Sequence, residues 1–218
     1  MIAVKTGMAS EYAVAKEYAA PDVLVLTGEQ TVASLVVNIP LTCAGIISFG
    51  LCGGLSEIAQ IGQAFIYDVV QTPAGNFICD EAWRKRLFAA TKYYECHCWS
   101  SGNFNTANTV AERAQLYAQT GCEVIDDETF AVAQFAASWN IPFIGLRVVS
   151  DGAEDNLPPA VINALNPNGT DDIPAVIASV ISDPDQIPAL IKTAQEYEKS
   201  IAELRTAAIA AGPTFQGP

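Results

Sequence analysis

The chain has 218 residues, half of them hydrophobic and 16% charged, which fits one globular domain with a large core and excludes a disordered protein. Its formal net charge of −13 argues against a nucleic-acid partner, whose phosphates would be repelled. No apolar run approaches the length of a membrane span and the start lacks the layout of a cleavable signal, so a cytoplasmic protein is expected.

Residues 2–6 read as a first strand, closed by Gly7. Met8-Ala9-Ser10-Glu11 then opens a helix toward Tyr18, with Glu11 in a first turn where the helix dipole favours an acid. Residues 23–26 are a second strand, and Gly28 begins a loop into a short helix. That loop, Thr27-Gly28-Glu29-Gln30, brings a negative charge and no arginine, which suits an anion poorly. Residues 45–55, GIISFGLCGGL, form a buried strand running into Gly50, Gly53 and Gly54, where backbone can approach a ligand closely or turn tightly.

Residues 63–70 and 77–78 are strands and 80–87 a helix. Residues 93–99 alternate as a strand, which puts Cys96 and Cys98 on one face and His97, the one histidine, on the other. No second ligand cluster follows, so no metal site is expected. Six cysteines in a chain of this size do not define a disulfide framework. Residues 101–109 form a polar loop around Phe104, and 111–120 a helix.

The most informative stretch is 122–155. A short apolar strand over 122–125 meets the acidic corner Asp126-Asp127-Glu128. From 129 to 139, Phe130, Ala133, Phe135, Ala136 and Trp139 fall near a helical period, and Pro142 marks the break. Residues 143–149 are apolar on both faces except for Arg147, the pattern of a strand buried in a parallel sheet, and Ser150-Asp151 follows. Ligands in open α/β sheets sit at the carboxyl ends of strands, where both charge sites are expected. Three acids exceed what capping a helix needs, and a buried Arg147 needs a charged partner.

Further on, Asp172 with Pro174 starts a helix. A final long helix carries Leu190, Ile191, Ala194, Ile201, Leu204 and Ala208 on one face. Residues 212–218 are expected to be a loose tail beyond a domain of residues 1–211.

Glu128, the proline-broken turn and the strand reading Arg147-x-x-Ser150-Asp151 together resemble the signature of the nucleoside phosphorylase/nucleosidase superfamily. Gly7-Met8-Ala9-Ser10-Glu11 and Gly53-Gly54-Leu55 match two further pieces of the family pattern. The resemblance implies a single three-layer α/β domain, with a central mixed twisted sheet flanked by helices.

Similarity to the 5′-methylthioadenosine/S-adenosylhomocysteine nucleosidases implies cleavage of the N-ribosidic bond of a 5′-substituted adenosine by water. A phosphate-dependent purine nucleoside phosphorylase and a non-catalytic nucleoside binder are the alternatives. Asp151 would protonate the purine, Glu11 activate water and Glu128 grip the ribose hydroxyls. Partly desolvated at a strand end, Asp151 is expected to hold its proton, with Ser150 orienting it. Met8, Leu51, Cys52, Gly53 and Asp127 would border the substrate, Phe104 would face the adenine, and Asp126 would pair with Arg147. The chain departs from the family in carrying Asp127 where a methionine usually lies under the sugar, and Leu51 where a hydroxyl is common. Ser48-Phe49-Gly50-Leu51, Asp80-Glu81-Ala82-Trp83-Arg84 and Leu157-Pro158-Pro159 look closer to the hopanoid-associated subgroup, thought to remove adenine from adenosylhopane. The resemblance implies a small-molecule nucleoside as partner, no cofactor, and a homo-oligomer with a dimer favoured.

Overall fold

The computed structural model describes residues 1–28, 31–102, 107–162, 164, 166 and 169–218. In chain order the elements are β1 (Ile2–Lys5), α1 (Ala9–Tyr18), β2 (Leu24–Leu26), α2 (Val32–Asn38), β3 (Gly45–Gly54), β4 (Ala64–Thr72), β5 (Gly75–Ile78) and α3 (Glu81–Thr91). Then come β6 (Tyr94–Trp99), α4 (Val110–Thr120), β7 (Val124–Ile125), α5 (Thr129–Trp139), β8 (Phe143–Asp151), α6 (Pro159–Ile162), α7 (Ile173–Ser182) and α8 (Ile187–Ala211).

One mixed sheet joins all eight strands. β1 lies between β2 and β3, parallel to both, and β8 runs parallel to β3 on its other edge. β8 also pairs antiparallel with β4, so its neighbours are mixed rather than purely parallel as its apolar run suggested. β6 is parallel to β4 and to β7, and β7 returns antiparallel to β3. The strands β3, β8, β4, β6 and β7 therefore close a circuit, and β5 hangs on the free edge of β4. Both β3 and β8 are covered on both faces, which explains why their sequences do not alternate.

Helices α1 and α3 each pack against α8, and α2 against α5; α8 and α5 make the broadest contact with the strands. The helix ends follow local chemistry. Asp80 accepts from the Trp83 amide at 2.7 Å to cap α3, Thr109 and Glu112 form a capping box on α4, and Asp172 caps α7. Asn140 ends α5 in the left-handed conformation just before Pro142.

The chain end differs from the loose tail expected. Phe215 is fully buried, edge-on to Phe49 with ring centroids 5.2 Å apart, and its carbonyl accepts from the Trp83 indole at 2.8 Å. An aromatic that fills a core position and a buried indole N–H that needs a partner fix this segment. The buried face of α8 is Ser200, Leu204, Ala207, Ala208 and Ala211, whereas Ile191 is 55% exposed. In β6, Cys96 and Cys98 are buried while His97 faces Asp68, at 3.4 Å from its carboxylate. All six cysteines are free. Among the described residues, no helix is long and apolar enough to cross a membrane.

Candidate active site

Strand ends β1, β3, β7 and β8 converge on a cleft of ≈ 180 Å³ that holds most of the expected residues: Met8, Glu11, Leu51, Cys52, Gly53, Asp127, Glu128, Ser150 and Asp151 all line it. Phe104 and Glu29 lie outside the described residues.

Glu11 is 1% exposed, yet reaches the cleft. Its Oε2 accepts from the backbone N–H groups of Gly7 (2.7 Å) and Met8 (2.9 Å), and its Oε1 from that of Leu51 (2.7 Å). A carboxylate offers about four acceptor positions, so three strong bonds fix it and leave one on Oε1 for a ligand or water. Leu51 takes part in holding the site through its backbone. Its side chain has no hydroxyl, but its amide holds Glu11 and its carbonyl accepts from Arg147 Nη1 at 2.8 Å. Gly50 is required here, because a Cβ would collide with the Glu11 carboxylate, and at Gly7 it would collide with Glu128.

Arg147 is fully buried at the foot of the acidic corner. Its Nη1 donates to Glu128 Oε2 at 2.9 Å and its Nη2 to Ser48 Oγ at 2.7 Å. Asp126, the expected partner, is an ion-pair neighbour at 3.6 Å from Nε rather than a hydrogen-bonded one. The reason lies in helix capping: Asp126 accepts from Thr129 N (2.7 Å) and Thr129 Oγ1 (2.8 Å), starting α5. Thr129 spends its proton on Asp126, so Ser48 donates to Thr129 Oγ1 at 2.7 Å, giving the relay Arg147, Ser48, Thr129, Asp126. Capping thus falls to Asp126, and Glu128, with no capping bond, is left for the cleft. Asp127 accepts from Ser101 Oγ at 2.8 Å. Burial pushes the Glu128 carboxyl up to about 7, against the pull of Arg147 and with the help of Glu11, Asp126 and Asp127.

At the end of β8, Asp151 Oδ2 accepts from Ser150 Oγ at 2.6 Å, and Ser150 Oγ also reaches the Cys52 carbonyl at 3.3 Å. Asp151 also has a partner that the sequence did not point to. Asp151 Oδ1 is ion-paired with Arg113 of α4, a guanidinium only 1% exposed. The Cys52 thiol is buried, and burial pushes it far above the usual thiol range, so it lines the cleft as an inert group.

Two charged residues escaped the sequence reading. Arg113 falls on one stripe of α4 with the half-buried Val110, Leu116 and Thr120, and a charge on that period was the available signal. Lys5, 2% exposed, donates to the carbonyls of Thr6 (2.7 Å) and Gly28 (2.9 Å) beneath the site. Burial pushes its ammonium down to about 8, opposed by Glu128. A lysine inside the four-residue strand IAVK was its signal.

The cleft opens into an apolar annex of ≈ 290 Å³, bordered by Met8, Leu51, Leu157, Val161, Leu190 and Tyr197. A larger groove of ≈ 400 Å³ lies between β5 and the end of α5, but its one titratable group, Asp80, is occupied in capping α3.

The family model of the Phosphorylase superfamily matches residues 23–182, well over half of the chain. The chain belongs to this superfamily. Solved structures of similar fold include a futalosine hydrolase mutant of Helicobacter pylori, 10% identical with a TM-score of 0.63, covering 95% of this chain and 97% of that one. The 5′-methylthioadenosine/S-adenosylhomocysteine nucleosidase from Neisseria meningitidis, in complex with methylthio-immucillin-A, is 14% identical with a TM-score of 0.63 and coverages of 95% and 97%. The 5′-methylthioadenosine nucleosidase of Arabidopsis thaliana is 15% identical with a TM-score of 0.62, covering 96% and 92%. Comparison with curated proteins gives no match. The superfamily match begins after α1, so Glu11 precedes it, whereas Glu128, Arg147 and Asp151 fall within it.

Proposed function

We propose that this superfamily member hydrolyses the N-ribosidic bond of a 5′-substituted adenosine, releasing adenine. The observation that carries the reading is the meeting of Glu11, Glu128 and Ser150-Asp151 around one cleft, each held by groups that leave it an open acceptor or donor position. In the reaction, water bonds to the ribose C1′ as the bond to the base nitrogen breaks, its electrons leaving with the base. Glu11 takes a proton from the water, Glu128 accepts from the ribose hydroxyls, and Asp151, beside Ser150, gives a proton to the leaving base and regains one from solvent after release. Two of the structures of similar fold are 5′-methylthioadenosine nucleosidases, which supports a 5′-substituted nucleoside as substrate.

Water as nucleophile is favoured by charge. Among the described residues, five carboxylates line the cleft, and the one basic residue there, Arg113, is already paired with Asp151. A phosphate dianion entering there would face net repulsion. The apolar annex beside Met8 and Leu51 supports a large apolar 5′ group, of the alkyl or hopane kind.

Release of adenine from 5′-methylthioadenosine and from 5′-alkylthio analogues of increasing length, with and without phosphate, tests both points. Turnover without phosphate, with KM falling as the chain lengthens, is expected. Strict phosphate dependence would move the protein to the phosphorylases, and a KM that rises with length would remove the annex from the account.

A further inference from the structure

Arg113 is used by nothing in the mechanism above, yet its guanidinium is buried beside the cleft and engaged by four acceptors. Its Nη1 donates to the carbonyls of Gly54 (3.2 Å), Asp151 (3.2 Å) and Gly152 (2.8 Å), while Nη2 pairs with Asp151 Oδ1. The pair packs against bare backbone: a Cβ on Gly53 would lie 3.1 Å from Asp151 Oδ1 and 3.5 Å from Arg113 Nη1. We infer that Arg113 is a positioning residue for base release: it occupies Oδ1 of Asp151, so that Oδ2 and the Ser150 hydroxyl alone are presented to the departing base. This rests on the nucleosidase reading.

A purely structural tie between α4 and the segment after β8 is already supplied without Arg113. Leu157 N donates to the Asn108 carbonyl at 2.8 Å, and Val110 N to Asn156 Oδ1 at 2.9 Å. A buried ion pair is weak evidence for stability, because desolvating both partners offsets much of their attraction. What the planar fork adds is orientation: three carbonyls fix the guanidinium, and the guanidinium fixes one oxygen of the carboxylate. In a cleavage step, misplacing a reacting group by about 1 Å can lower the rate by about 100-fold.

Steady-state release of adenine from 5′-methylthioadenosine by wild type, R113K and R113A, with thermal melts of each, tests this. The inference expects kcat of R113A to fall by about 100-fold with KM little changed. R113K, which keeps the charge without the fork, recovers part of that loss. Added guanidinium ion at millimolar concentration restores kcat in R113A, a response that a structural role does not produce. Variants with wild-type kcat, or losses confined to KM or matched by the unfolded fraction and untouched by guanidinium, overturn the inference while leaving the nucleosidase reading intact. Absence of adenine release from wild type itself removes that reading, and this one with it.

Discussion

Arg147 satisfies four groups at once: the Glu128 carboxylate, the Ser48 hydroxyl, the Leu51 carbonyl and, at longer range, Asp126. Removing it leaves two buried acids without their counter-charge, and breaking a buried pair in this way destabilises by about 3–5 kcal/mol. Chemical denaturation of R147A is expected to show that loss, and an unchanged melting temperature would contradict the pairing. Glu128 gives a second prediction. Its folded value near 7 lies above the ordinary 4.5, so the folded state holds a proton there that the unfolded chain releases. That contribution is fully present below about pH 4.5 and is lost as pH rises through about 7. Melting temperatures across this window should fall with pH in wild type and fall less in E128Q; parallel curves would refute it. Glu11, Glu128 and Asp151 were legible in the sequence because a motif carried them. Arg113 and Lys5 were not, since each is a buried charge with partners from distant strands or loops.

At the level of elements, the long helices and strands were read within a few residues. Helix α5 spans 129–139 as its period indicated, and β3 and β8 follow their apolar runs. Two elements were misjudged for physical reasons. The last residues were expected to be loose as a chain terminus, but Phe215 is a core residue placed by a turn at Gly212. Phe215→Ala should cost about 3–5 kcal/mol, as for other buried aromatics; a loss under 1 kcal/mol in a denaturant titration would show the segment to be dispensable. The final helix was expected to carry Leu190, Ile191, Ala194, Ile201, Leu204 and Ala208 on one face, whereas Leu190 and Ala194 border the annex, Ile191 is exposed, and Leu204 and Ala208 are in the core. Periodicity identifies an apolar face but not whether a core or a cavity lies against it.

For the molecule as a whole, the three-layer mixed sheet was legible through the family resemblance, and the closed circuit of β3, β8, β4, β6 and β7 was not. That closure depends on β7, two residues long, and such pairing has no local sequence signal. It matters for function, because β7 delivers Asp126 to Glu128 beside the ends of β3 and β8, while β1 delivers Glu11 from the other flank. The central claim is that these carboxylates, gathered by the sheet, cleave a nucleoside with water. The most direct test is adenine release from 5′-methylthioadenosine in phosphate-free buffer by wild type, E11Q and D151N, side by side. The account predicts release by wild type and losses of at least about 100-fold in both variants. Equal rates in all three, or no release by a folded wild type, would contradict it.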